Sequence, residues 1–234
     1  MKFQFVFFDL DGTLLDTLDD LRDSVNTILG RHDLPPITRP EAAHFLGNGA
    51  AHLVHCALKG RATEEAEQKI LDEYKLFYQE HCRIRTAPYA GVMDLLADLK
   101  RAGVRMAVVS NKPDPAVKEL NTAFFGEELE AAIGEKPGVR RKPAPDTLFE
   151  AMRLMGAERE NCVYIGDTEV DIQTAKNAAM PCISVSWGFR SVSELKEAGA
   201  ELIADSAEEL KKILLEASNA QRIGAFLICA HLRG

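Results

Sequence analysis

Apolar positions gather in short runs along this chain. Phe3 to Phe8 is rich in aromatic residues and stops abruptly at Asp9, as a strand buried on both faces does at its carboxyl end. Val104 to Val109, Cys162 to Ile165 and Cys182 to Val185 have the same strand length, and the segments around them carry helical spacing. This alternation predicts an α/β fold, a parallel sheet with helices on both faces. From about Asp16 to Arg85 the pattern changes and no run looks like a strand. Leu18, Leu21, Val25 and Ile28 mark one amphipathic helix there, and Ile70, Tyr74, Phe77 and His81 mark another. Pro35-Pro36, Pro40 and Gly47-Asn48-Gly49 punctuate the stretch, and Pro88-Tyr89-Ala90-Gly91 marks the return to the main domain. The expected organisation is a core of residues 1–15 and 86–218, a helical insert at 16–85, and a tail at 219–234. In the tail, Ile223, Phe226 and Leu227 suit a final packed helix as well as an unpacked end.

Composition changes this picture little. A 46% hydrophobic and 27% charged chain of 234 residues is an ordinary globular protein. The formal charge of -8 opposes general affinity for nucleic acid, which is bound chiefly by clustered Lys and Arg. An anionic small substrate remains compatible with it where cations converge. The apolar run Ile223 to Ala230 is far shorter than the roughly 20 residues that span a bilayer. Asp9 and Asp11 interrupt the N-terminal segment before a signal core forms, so the cytoplasm is the expected compartment, with no membrane partner. Cys56, Cys82, Cys162, Cys182 and Cys229 are scattered and odd in number, which suits reduced thiols rather than a disulfide framework.

The candidate chemistry lies at the predicted strand ends. Asp9-Leu10-Asp11-Gly12-Thr13 places two carboxylates directly after the first strand, and side chains at i and i+2 of a strand point the same way. Two acids crowded at one sheet end need a cation or a shared proton. Gly166-Asp167-Thr168-Glu169-Val170-Asp171 repeats the arrangement after Cys162 to Ile165, either as further oxygen ligands for Mg²⁺ or as a helix N-cap. Ser110-Asn111-Lys112 brings a hydroxyl, an amide and an ammonium to a third strand end, all suited to phosphate. Arg140-Arg141-Lys142-Pro143 adds a basic cluster to an acidic chain, and such clusters are also common on solvated faces.

Taken in order, Asp9-x-Asp11-Gly12-Thr13, Ser110-Asn111, Lys142-Pro143 and Gly166-Asp167 with Asp171 resemble the four motifs of the haloacid dehalogenase superfamily, over roughly residues 3 to 217. The resemblance implies a Rossmannoid core with a helical C1 type cap at the insert. It implies a Mg²⁺-dependent phosphomonoester hydrolase in which Asp9 is the nucleophile, forming an aspartyl-phosphate, and Asp11 is the general acid and base. Asp9, the backbone carbonyl of Asp11, and Asp167 would hold Mg²⁺, with Asp171 supporting them. Ser110 would bond the transferring phosphoryl group and Lys142 would offset its charge.

Phe45-Leu46-Gly47-Asn48-Gly49-Ala50, Ser110-Asn111-Lys112-Pro113 and Lys142-Pro143-Ala144-Pro145-Asp146 further resemble bacterial phosphoglycolate phosphatases. That likeness implies a small phosphate ester as the partner, 2-phosphoglycolate first, contacted by Thr13, Asn48, Gly49, Asn111 and Lys112. Alternatives in the same superfamily are a pyrophosphatase, a sugar-phosphate or nucleotide phosphatase, or a phosphoglucomutase-like enzyme. A mutase is disfavoured because Leu21 stands where mutases carry a cap histidine. A dehalogenase is disfavoured by Asp11, and a phosphonate hydrolase by the lack of a well-placed cap lysine other than Lys59. A non-catalytic phosphate sensor on the same fold is the alternative from another class, and such relatives commonly lose one of the two acids that this chain keeps.

Overall fold

The computed structural model describes residues 3–215, so the expectations for the 219–234 tail and for Cys229 lie outside the described residues. Strand β1 (Phe5–Phe8) is buried at every position, which explains its unbroken apolar run: Val6 and Phe8 enter one core and Phe5 and Phe7 the other. After β1 the chain makes a short strand β2 (Leu15–Asp16) and then four helices, α1 (Leu18–Arg31), α2 (Arg39–Phe45), α3 (Gly49–Leu58) and α4 (Glu64–His81). It returns through β3 (Ala87–Pro88), which pairs antiparallel with β2. The alternating part follows: α5 (Val92–Arg101), β4 (Arg105–Pro113), α6 (Asp114–Phe124), β5 (Ala131–Glu135) and α7 (Asp146–Met155). It ends with β6 (Cys162–Gly166), α8 (Glu169–Asn177), β7 (Cys182–Val185), α9 (Val192–Glu197), β8 (Ile203–Ala204) and α10 (Ala207–Leu215).

Six strands form one parallel sheet in the order β5-β4-β1-β6-β7-β8. The chain order reverses beside β1, and in open parallel sheets ligands bind at the carboxyl ends next to such a reversal. Leu148, Ala151 and Met155 of α7 and Ala175 of α8 pack with Phe5 and Phe7, while Leu95, Leu96 and Leu99 of α5 and Leu210 and Leu214 of α10 share the cluster of Val6 and Phe8. Both faces of the sheet are therefore covered.

Three details depart from the sequence pattern. The strand expected to end at Val109 continues to Pro113, so Ser110, Asn111 and Lys112 belong to β4 itself. Val109 pairs with Ile133 and Pro113 with Glu135, so β4 advances four residues while β5 advances two. Such an irregularity re-aims side chains at a strand end. Gly134 is required opposite it, because a Cβ there would overlap the backbone of Asp114. Second, the buried face of α4 is Ile70, Leu71, Tyr74 and Tyr78, whereas Phe77 and His81 stack on each other with partial exposure. Third, the short strands β2, β3 and β8 and the partly buried β5 carried no strand-length apolar run to announce them.

The two chain crossings into the helical segment are tied together by one buried acid. Asp20 of α1 accepts hydrogen bonds from the backbone of Arg85 (3.0 Å) and from the backbone and hydroxyl of Thr86 (2.9 and 2.8 Å). A carboxylate this deeply buried is tolerable only with such partners. The four described cysteines are free thiols, as expected. Among the described residues no helix is long and apolar enough to cross a membrane.

Candidate active site

The carboxyl ends of β1, β4 and β6, with the turn before α7, bring the motif residues together. Asp9 follows β1 and is buried, with Oδ1 2.9 Å from the Lys142 ammonium. Lys142 is itself buried, and its three N–H donors point at Asp9, at Asp171 Oδ1 (2.7 Å) and at the Tyr164 hydroxyl (3.0 Å). Burial opposes charge on Lys142, but the carboxylates of Asp171 and Asp9 hold its pKa well above the usual lysine value. The other Asp171 oxygen accepts from the backbone (3.1 Å) and hydroxyl (2.7 Å) of Thr168, completing the capping box of α8. The N-cap reading of this motif is thus realised by Thr168 and Asp171.

Asp167 is fully buried between Gly12 and Gly188, where a Cβ on either glycine would collide with its carboxylate. Oδ1 accepts from the Thr13 hydroxyl (2.9 Å) and Oδ2 from the backbone N–H of Phe189 (2.8 Å). Among the described residues it has no cationic partner. Burial, Asp171 and Asp9 all push its pKa well above the carboxylate range. Burial also raises Asp9, against the pull of Lys142, to about 7. Three carboxylates, Asp9, Asp167 and Asp171, offer oxygens within 4.8 Å of one another against one lysine. Clustered hard oxygen donors with an uncompensated negative charge are what Mg²⁺ binds, so the residues present fit that ion.

Asp11 stands at the open side. Thr17 donates to its Oδ1 (2.6 Å), and the Lys112 ammonium pairs with the same oxygen while lying 4.8 Å from the centroid of the Tyr78 ring. Ser110 is buried, and its hydroxyl accepts from the backbone N–H of Lys112 (3.2 Å). Asn111 bridges two segments: its amide donates to the carbonyls of Gly47 (3.1 Å) and Lys142 (2.9 Å) and its oxygen accepts from Lys142 N (2.8 Å). Asp9, Asp11, Ser110, Asn111 and Lys112 border a cleft of about 880 Å³, counting its open mouth. Its far side is made by Leu21, Leu46, Leu53, Tyr74 and Tyr78 of the helical segment, with Gly47 and Gly49 at the rim.

The candidate substrate contacts separate into three groups in this geometry. Gly49, Asn111 and Lys112 border the cleft. Thr13 lies behind it, bonded to Asp167. Asn48 borders a different depression, with His44, His52, Glu169 and Arg190. Several residues with a role in the site escaped the sequence reading. Tyr164 couples Lys142 to Asp171, and the segment Trp187-Gly188-Phe189-Arg190 after β7 braces the site. Trp187 donates to the Thr13 carbonyl (3.0 Å), and Arg190 pairs with Glu169 (2.8 Å) while donating to the carbonyls of Ala43 (2.7 Å) and Leu46 (3.0 Å). Its signal in the sequence is position: the segment directly follows the apolar run Cys182 to Val185, at the carboxyl end of a predicted strand.

A family model described as haloacid dehalogenase-like hydrolase matches residues 6–185. The chain is 32% identical over 212 residues to phosphoglycolate phosphatase 1 of Pseudomonas aeruginosa, covering 88% of this chain and 77% of that one. It is 30% identical over 223 residues to N-acetylmuramic acid 6-phosphate phosphatase of the same organism, covering 92% and 96%. Among solved structures, a protein of Lactobacillus delbrueckii subsp. bulgaricus, given provisionally as a phosphoglycolate phosphatase, superposes with a TM-score of 0.87 at 38% identity, over 92% of this chain and 100% of that one. CbbY of Rhodobacter sphaeroides in complex with phosphate gives 0.76 at 26% identity, over 89% and 96%.

Proposed function

The chain belongs to the haloacid dehalogenase-like hydrolase family, as a phosphatase, and from this premise we propose that it is a cytoplasmic Mg²⁺-dependent phosphomonoesterase working through an aspartyl-phosphate on Asp9. The observation that supports this most is the convergence of Asp9, Lys142 and Asp167 at the foot of a cleft that also holds Asp11 and Ser110. An Asp9 oxygen forms a bond to phosphorus as the bond to the ester oxygen breaks, and Asp11, as general acid, gives a proton to the departing alkoxide. Water then attacks phosphorus and yields a proton to Asp11, the bond to Asp9 breaks, and inorganic phosphate leaves.

Uncatalysed phosphate monoesters are among the slowest species to hydrolyse, so charge stabilisation has to supply most of the acceleration. Lys142, held against Asp9, cancels part of the repulsion between nucleophile and phosphoryl oxygens, and Ser110 donates to one of those oxygens. Asp9, Asp167 and the main-chain carbonyl of Asp11 would hold Mg²⁺, which would supply the remaining positive charge. In the same reading the helices of residues 16–85 are a C1 type cap that excludes water and selects the leaving group.

2-Phosphoglycolate is the substrate we favour, on the names of the relatives and on the rim made by Gly47 and Gly49 beside Lys112. Lys112 would exchange Asp11 for the substrate carboxylate when the ester binds. The apolar far wall of the cleft, together with the relative that acts on N-acetylmuramic acid 6-phosphate, favours a sugar phosphate as a second reading. Phosphate release with 2-phosphoglycolate, pyrophosphate, a hexose phosphate and a nucleoside monophosphate separates them. A kcat/KM at least tenfold higher for one ester, about 1.4 kcal/mol of differential transition-state binding, identifies the substrate class. No Mg²⁺-dependent release above an Asp9→Asn blank with any of the four would sink the phosphatase mechanism.

A further inference from the structure

The helical segment places at the cleft a polar group that none of the described residues satisfies. Tyr78 is 4% exposed, borders the cleft, and its hydroxyl oxygen is buried without a hydrogen-bond partner among the described residues. Buried hydroxyls are nearly always bonded, so an orphan at a site wall is either a cost without return or a group waiting for a ligand. The ring is held from two sides: Tyr74 stacks on it at 5.8 Å with an interplanar angle of 20°, and the Lys112 ammonium lies 4.8 Å from its centroid. The helical side of the cleft also carries Leu21, Leu46, Leu53 and Leu76, whose side chains offer no acceptor.

We propose that Tyr78 is a specificity-determining residue, donating a hydrogen bond to an acceptor oxygen on the organic part of the phosphate ester while the carbon skeleton rests on the leucine wall. This rests on the phosphatase reading and adds the feature that the cleft selects. Burial drives the phenol pKa well above its usual value, so the group is a donor across the whole physiological range. A phosphate ester whose leaving group carries a carboxylate, carbonyl or hydroxyl oxygen satisfies the orphan proton. A plain alkyl phosphate leaves it unpaired in the complex as well.

Tyr78→Phe tests this directly. The variant removes only the unpaired hydroxyl, so the free protein should melt at the same or a higher temperature than the wild type; a hydroxyl with a structural role would make it melt lower. Steady-state kinetics would then be measured with 2-phosphoglycolate and glucose 6-phosphate, which carry acceptor oxygens, and with ethyl phosphate, which has none beyond the phosphate group. The wild-type preference for the better acceptor-bearing ester over ethyl phosphate should fall about tenfold in Tyr78→Phe, with ethyl phosphate itself changed less than about twofold. An unchanged preference, or an equal loss on all three esters, overturns the role of Tyr78 while leaving the phosphatase reading intact. A wild type that releases phosphate from none of the three overturns the role of Tyr78, and one that also releases none from pyrophosphate or a nucleoside monophosphate overturns the phosphatase reading as well.

Discussion

The two sides of the cleft are built on opposite principles. On the sheet side, polar groups are closely matched: Lys142 uses all three donors, both oxygens of Asp171 and of Asp167 accept bonds, and Asn111 makes three. On the helical side, leucines and stacked tyrosines, with Lys75 and Gln79 beside them, make a mainly apolar wall in which the Tyr78 hydroxyl is unpaired among the described residues. Charge development at phosphorus needs dipoles fixed before the reaction, and a saturated network supplies that rigidity. Choosing among leaving groups needs surface that is incomplete until the right molecule arrives. On the proposed function, the contrast separates where the protein reacts from where it discriminates.

The sharpest way to break this comparison is to remove charge from the sheet side. Asp9→Asn should lower phosphate release at least about 10³-fold for every ester alike, because the amide keeps the shape but cannot attack phosphorus. Far-UV circular dichroism should show the variant folded. A loss confined to one ester would mean that Asp9 discriminates rather than reacts. Lys142→Met is next in size: turnover should fall at least about 10²-fold, and denaturant unfolding should show a loss of about 3–5 kcal/mol, since Asp9 and Asp171 would remain buried without their cation. Adding Asp171→Asn to that variant should recover part of the stability and none of the activity.

The same contrast governs what the sequence could reveal. Asp9, Asp11, Ser110 and Asp167 are polar residues interrupting or following apolar runs, so the alternation that predicts the α/β fold also marks them, whereas Lys142 stands in a basic cluster and is marked by the motif resemblance alone. The parallel sheet was legible because its central strands are buried on both faces. Strand β5 was not, since its first two residues are only partly buried and Gly134 serves a close approach rather than a pattern. Tyr78 was hidden for a related reason. The 3 and 4 spacing fits Phe77 and His81 as well as it fits Tyr78, and only the packing of α4 decides between the faces. Asn48 and Asn111 look equally available in sequence, yet one faces another depression and the other is fully engaged in bonds. Side-chain partners across the sheet are not encoded in local spacing.

Protons test the sheet side next. Asp9 has its pKa raised from 3.8 to about 7 in the folded protein, chiefly by burial, and Asp167 is raised in the same direction. A raised acid binds its proton more tightly folded than unfolded, so this contribution to stability is complete below about pH 4 and is lost as the pH rises through about 7. Metal-free protein should therefore melt at progressively lower temperature from about pH 5 to about pH 8, as far as these two groups govern it. Mg²⁺ competes with protons for the same carboxylates, so the melting-temperature increase it gives should grow over that interval. A Mg²⁺ effect that is flat or shrinks as the pH rises would place the ion elsewhere.

The smallest expected effect sharpens the boundary between the two sides at the Gly47-Asn48-Gly49 loop. Asn111 holds the Gly47 carbonyl with the same amide that holds Lys142, so it links the rim of the helical side to the charge network of the sheet. Removing that side chain strands a buried carbonyl and a buried N–H, and Asn111→Ala should lower kcat/KM about tenfold, with Lys142 as the group disturbed. Asn48 borders the depression with His52 and Arg190, and its side chain makes no capping bond to α3. Asn48→Ala should accordingly change kcat/KM less than about twofold for any ester, close to the effect of an ordinary surface substitution. A selective loss on 2-phosphoglycolate in Asn48→Ala would show instead that the loop turns this residue into the cleft when the ester binds, and the helical side would then carry a second selecting group beside Tyr78.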